Sequence, residues 1–208
     1  MKKIMFNDKY GLTTAVLEGR KTMTRRVITQ IQDFDEVGVW DAPYITICRD
    51  GRKMTDVFPA YQVGEEVAVA QRYVEIEWRN NPYIHHIPDL SCRGELNNSK
   101  GWCNKMFVRA NLMPHRIRIT GIKVERLQDI SDKDCLREGI TMMTEGKIEI
   151  GNAYGWDTKI DALKRDSFFT PREAFASLID RVSGRGTWDS NPWVWVYQFE
   201  LIKPGQQR

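Results

Sequence analysis

Residues 116–127 read RIRITGIKVERL, and their apolar residues change parity part-way along. Ile117 and Ile119 fall on odd positions, Ile122 and Val124 on even ones, and Gly121 stands at the change. Side chains of a strand alternate faces with period two, so a slip of one residue inside an apolar run predicts a β-bulge. A glycine at such a slip is how a sheet bends towards closing on itself. The stretch therefore predicts a strand of a curved, barrel-like sheet.

The neighbouring segments extend this reading. PWVWVYQFELI (192–202) places Trp193, Trp195, Tyr197, Phe199 and Leu201 on one face and Val194, Val196, Gln198, Glu200 and Ile202 on the other. Its aromatic load predicts a core strand, followed by a frayed KPGQQR tail. GEEVAVAQRYVEIEW, from Gly64, repeats the parity slip between Val67/Val69 and Val74/Ile76/Trp78, which predicts a bulge near Arg72 or two strand pieces. KKIMF reads as a short first strand, and GLTTAVLEG as a brief helix stopped by Gly19. KTMTRRVI then reads as a strand or strand-like turn. Two helices carry start signals: DISDKDCLREG with Ser131 as N-cap and Gly139 as stop, and TPREAFASLIDRVSG with Thr170, Pro171 and Glu173. In the latter, Ala174, Phe175, Leu178, Ile179 and Val182 form the stripe expected to be buried, and Gly184 is the stop. Residues 79–104 and 141–169 are turn-rich with little periodicity and read as two long insertions. The expected fold is α+β: a single domain over residues 1–208, built on a curved sheet with flanking helices.

Composition bounds the function. A hydrophobic fraction of 41% excludes wholesale disorder. The longest apolar runs, such as WVWVY, fall far short of the roughly 20 residues of a membrane span, and MKKIMFNDKYG lacks the apolar region of a secretory signal. A soluble, cytoplasmic protein with no membrane partner is expected. The net charge of +3 does not suit a histone-type binder, but residues 1–26 hold seven basic residues against two acids, a local charge of +5. Such a field attracts anions or is merely a solvated face. Cys48, Cys92, Cys103 and Cys135 include no C-x-x-C pair, and His85, His86, Cys92 and Cys103 match no usual zinc spacing. Free thiols, no metal and no cofactor are expected.

Four blocks then stand out: LEGRKTMTRR (17–26), VGEEVAV (63–69), ITGIKVERLQDISDKDCLREGI (119–140) and GTWDSNPWVWVYQFE (186–200). Together they resemble the ASCH domain family, most nearly its larger phage- and prophage-associated members. They follow the family's order over most of the chain outside the two inserted regions. The resemblance implies a PUA-like fold, a small β-barrel with helices at its openings, related to domains that bind RNA or modified bases. It also implies candidate catalytic residues. One branch of the family removes the acetyl group from N-acetylcytidine with a lysine and a threonine of GRKT-x-T and a glutamate near the end of the mid-chain helix. Lys21, Thr24 and Glu138 match these positions. One feature departs: larger members read G-D-x-L-W-V-R-E, and Gln71 stands where that motif has its final acid. Glutamine can hydrogen-bond a ligand but cannot take up a proton.

Three functions follow as expectations. The first is binding of RNA or a modified nucleoside, with Arg20, Lys21, Arg25 and Arg26 on phosphates, Gln71 and Arg72 as further contacts, and Trp188 stacking on a base. For Trp188 the competing reading is a tryptophan that caps the core. The second is amide hydrolysis, with Thr24 as nucleophile, Lys21 as base and Glu138 orienting the lysine or shuttling a proton. In a regular strand Lys21 and Thr24 would face opposite ways, so this reading requires a turn after Gly19. The third is a phage-encoded interaction protein without catalysis. His115 is expected to be a partly buried residue at a strand end.

Overall fold

The structure, a computed structural model, describes residues 1–29, 36–39, 44–49, 52–77, 99–143, 153–156 and 168–202. Along the chain these form β1 (Lys2–Ile4), α1 (Leu12–Leu17), β2 (Met23–Val27), β3 (Glu36–Val39), β4 (Ile45–Arg49), β5 (Arg52–Val57), β6 (Glu66–Val69), α2 (Tyr73–Glu77), β7 (Arg116–Arg126), α3 (Asp132–Arg137), β8 (Thr141–Met143), β9 (Ala153–Gly155), α4 (Pro171–Ser183), α5 (Thr187–Ser190) and β10 (Trp193–Ile202). Five strands make a mixed sheet in the order β1-β6-β7-β10-β2, in which β1 runs parallel to β6 and the other neighbours are antiparallel. A three-stranded sheet, β3-β4-β5, and the pair β8-β9 stand apart from it.

The parity slip in RIRITGIKVERL is a bulge within one continuous strand. Gln198 of β10 lies opposite Gly121, and the next residue, Phe199, lies opposite Ile119, so Thr120 is the extra residue. The bend does not close the sheet. β1 and β2 are its edges, and among the described residues no ladder joins them. The Arg26 guanidinium of β2 reaches across to donate to the Met5 carbonyl, one residue past β1, at 2.6 Å. β10 lies between β7 and β2, and Val194, Trp195, Val196 and Tyr197 are buried in succession. A strand covered on both faces needs apolar residues at every position, which accounts for its near-continuous apolar run.

The segment after β6 departs from expectation. Instead of a bulge or a second strand piece, Tyr73–Glu77 forms one turn of helix. Tyr73 and Ile76, three residues apart, are both buried in a small cluster with Ala68, Ala70, Val108 and Met113. The Glu75 carboxylate accepts the Arg72 amide N–H at 2.9 Å, which covers a free donor at the helix start. Apolar residues at 74 and 76 suit a strand, but burial of 73 and 76 suits a helix, and here packing decides. Trp78 lies outside the described residues.

The two capped helices form as expected. The Ser131 side chain accepts from the Asp134 amide, and Thr170 with Glu173 makes a full capping box in front of α4. Thr170→Ala is expected to lower stability by about 1 kcal/mol, read from urea unfolding; an unchanged midpoint would show that the box adds nothing. Of residues 79–104 only the last six are described, and His85, His86 and Cys92 lie outside them. Within 141–169, β8 pairs with β9, and Trp156 is buried and stacks on Phe168 at 5.7 Å, so these parts belong to the folded body. No helix among the described residues is long and apolar enough to cross a membrane.

Candidate functional site: a buried lysine–glutamate pair

The site begins at the end of α1. Gly19 takes a φ of +74°, a conformation that glycine adopts without penalty, and the chain reverses there. The Lys21 amide N–H then bonds to the Ala15 carbonyl at 2.9 Å, and the Thr22 amide to the Arg137 carbonyl at 2.9 Å. These bonds fasten the turn to α1 on one side and to the end of α3 on the other. β2 starts only at Met23, so Lys21 precedes the strand and Thr24 belongs to it. This junction meets the geometric requirement set by the sequence, and both side chains line one cavity.

Glu138 closes α3 at its C-terminal cap and is buried rather than solvated. The Lys21 ammonium donates to the Glu138 carboxylate at 2.5 Å and to the Glu138 main-chain carbonyl at 2.7 Å. Lys21 is 3% exposed and Glu138 4%. Burial pushes the Lys21 pKa below the usual lysine value; the Glu138 charge and hydrogen bond oppose this, and the Arg26 and Arg25 charges add to the lowering. The net direction is downward, towards a lysine that can give up its proton.

The cavity is about 440 Å³, within the range of roughly 300–1,000 Å³ common for small-molecule sites. Lys21, Thr24, Arg25, Arg26 and Glu138 contribute its polar wall, together with the ring of Phe6. The Phe6 ring lies 5.9 Å from the Lys21 nitrogen and 5.8 Å from the Arg26 guanidinium. Phe175, Leu178, Ile179 and Val182 of α4 make an apolar wall, and Ser183, Thr187 and Ser190 add hydroxyl groups. An amine of lowered proton affinity sharing a largely apolar cleft with a threonine hydroxyl is an arrangement suited to base-assisted attack on a carbonyl.

The structure sorts the remaining candidates. Arg25 reaches the cavity wall, but its guanidinium is engaged by carboxylates. Nη1 donates to Glu138 at 3.0 Å, and Nε and Nη2 donate to Glu125 at 3.0 and 2.6 Å. Arg20 is paired with Glu18 at 2.6 Å and is not among the cavity's walls. Arg26 lines the cavity and has the neutral Met5 carbonyl as acceptor. All four basic side chains of GRKTMTRR thus have acceptors within the protein. Like charges this close are held by interleaving acids and carbonyls.

Gln71 and Arg72 are also outside the cavity walls. The buried Gln71 side-chain oxygen lies 2.7 Å from His115 Nδ1, and Arg72 pairs with Glu75 at 2.6 Å. His115 is partly buried just ahead of β7, as expected, and burial lowers its pKa. Trp188 is on α5. Its ring meets Phe175 edge-on at 6.2 Å, and the Arg172 guanidinium lies 5.1 Å from the ring centre. It does not line the cavity, and its position behind Phe175 fits the core-capping reading.

Phe6, Phe175, Glu125 and Asp134 were not legible as site residues. Phe175 was legible as core through its spacing on α4, but nothing in the spacing shows that this core face also walls a cavity. No match to the chain was found among family models, curated proteins or solved structures.

Proposed function

We propose that this chain is an ASCH-type protein of PUA-like ancestry, and that its cavity hydrolyses the amide of an N-acylated base or nucleoside. The observation that carries the proposal is the buried Lys21–Glu138 pair sharing one cavity with Thr24. Binding of RNA through a basic surface is favoured less, because Arg20 and Arg25, two of the arginines expected to grip phosphates, are paired with carboxylates.

In the proposed reaction Lys21 acts as the free amine, oriented by the Glu138 carboxylate across the 2.5 Å contact, and accepts the Thr24 hydroxyl proton. The hydroxyl oxygen forms a bond to the acyl carbon, and the carbonyl pair moves to oxygen. Arg26, the wall cation with only a neutral acceptor among the described residues, is available to stabilise that oxyanion. The carbon–nitrogen bond then breaks, and the departing amine takes the proton from Lys21. Water, deprotonated by Lys21, attacks the threonine ester, releases the carboxylic acid and restores the hydroxyl. The apolar wall of α4, with Phe175, Leu178, Ile179 and Val182, offers apolar surface for the base.

The test is chromatographic. Wild-type protein incubated with N-acetylcytidine is expected to release cytidine, and Thr24→Val is expected to lose at least about a hundredfold in rate. Salt should leave KM for this uncharged substrate nearly unchanged, unlike a polymer held by its phosphates. No cytidine at high enzyme concentration would sink the assignment.

A further inference from the structure

The Glu138 carboxylate has two cationic partners, not one. Lys21 holds Oε2, and Arg25 holds Oε1. Arg25 is itself anchored behind the carboxylate: its side chain is 1% exposed, Nε and Nη2 share Glu125 Oε1, and Nη2 lies 3.6 Å from Asp134. Its guanidinium is also 5.9 Å from the Phe175 ring. β2, β7 and α3 therefore meet at one arginine, whose planar fork fixes several acceptors at once.

We propose that Arg25 is a positioning residue acting through Glu138: by sharing the carboxylate with Lys21, it fixes the pair's orientation and limits how much of the Glu138 charge the lysine commands. Lys21 without Arg25 would have Glu138 to itself and would lose a repelling neighbour. It would hold its proton more tightly and become a free base only at higher pH. The Arg25 charge contributes in this direction to the lowered proton affinity of Lys21.

The surrounding groups do not offer a substitute. Arg26 faces Lys21 from β2. Lys123 holds Glu125 at 2.6 Å and approaches Asp134 at 3.9 Å, and Arg137 lies 3.5 Å from Asp134. Burial pushes the Cys135 thiol up to about 12 and raises Tyr61 and Tyr197, so these stay neutral. Among these charged groups, Arg25 is the one joined directly to both Glu138 and Glu125.

The inference rests on the hydrolytic reading for its effect on turnover, and on geometry alone for its effect on Lys21. The experiment therefore follows both. Lysine-labelled full-length protein is titrated by NMR, with the Lys21 signal assigned by its loss in Lys21→Met, and kcat/KM is measured against pH. Arg25→Met is expected to raise the Lys21 midpoint and to move the acid limb of kcat/KM upward by about one pH unit, a loss of about tenfold on that limb. Arg25→Lys, which keeps the charge but not the fork, is expected to keep the midpoint, to turn over more slowly and to exchange its Lys21 ammonium protons faster. An unchanged Lys21 midpoint in folded Arg25→Met overturns the proposal. Should Arg25→Met fail to fold, Arg25→Lys decides: turnover and ammonium exchange both at wild-type level overturn it. If the wild type releases no cytidine, the hydrolytic reading fails, while the Lys21 titration and exchange still decide the role of Arg25.

Discussion

Glu138→Leu is expected to cost about 3–5 kcal/mol of folding stability, the largest loss from any single change at this site. The reason is charge, not volume. Glu138 is the shared counter-ion of Lys21 and Arg25, and all three side chains are nearly inaccessible to water. Leucine fills much of the same space but leaves the Lys21 ammonium with only a main-chain carbonyl at 2.7 Å. Arg25 fares better because Glu125 remains. A second substitution sharpens the argument. Adding Lys21→Met to Glu138→Leu removes the stranded cation, so the double variant is expected to be more stable than Glu138→Leu alone. Urea unfolding at neutral pH measures both. A double variant no better than the single one would show that the lysine is not the stranded charge.

Lys21→Met is expected to reverse that pattern: activity on an N-acylated nucleoside falls about 10²–10⁴-fold, while less than half the Glu138→Leu stability loss appears. Methionine keeps an apolar stem of similar length in the cavity wall, and Arg25 still pairs with Glu138 at 3.0 Å, so no charge is stranded. The pH dependence separates chemistry from folding. Lys21 binds its proton less tightly in the folded chain than an ordinary lysine does at 10.5. The unfolded chain therefore takes up more protons between the folded midpoint and 10.5, and over that window stability rises with pH. Below the folded midpoint the penalty of charging a buried amine is fully present. In Lys21→Met that rise should vanish, so the stability difference between the two proteins should change across the alkaline window and stay flat below it. Equal slopes in urea unfolding at successive pH values would contradict a depressed Lys21.

The catalytic trio of the proposal depended on resemblance for its selection and on the turn at Gly19 for its geometry. Lys21 and Thr24 lie three residues apart, yet strand periodicity alone would separate them. The chain reaches the common cavity because Lys21 remains outside β2, fastened by the Ala15 and Arg137 carbonyls. Glu138 was harder to read. An acid at the end of a short helix is ordinarily solvated, and only the docking of α3 beside the turn at Gly19 makes it the counter-ion of two cations more than a hundred residues away. Arg25 misleads for the same reason. Beside Arg20, Lys21 and Arg26 it suggests an anion grip, and its acids lie on β7 and α3.

The sequence by itself determined the features whose causes lie within a few residues. Ser131, Thr170 and Glu173 satisfy amides three positions away, Gly19 and Gly139 supply positive φ where helices stop, and the slip at Gly121 becomes a bulge at Thr120. Each depends on local spacing and needs no distant partner. Tertiary structure decided the rest. It placed β10 between β7 and β2, left β1 and β2 as edges of an open sheet, and made Tyr73–Glu77 a helix although its parity also suits a strand. It also buried Lys21 and Arg25 of GRKTMTRR against acids remote in sequence. Strand order, and the pairing of buried charges remote in sequence, depend on which surfaces exclude water together, and that is a property of the packed chain rather than of any one segment.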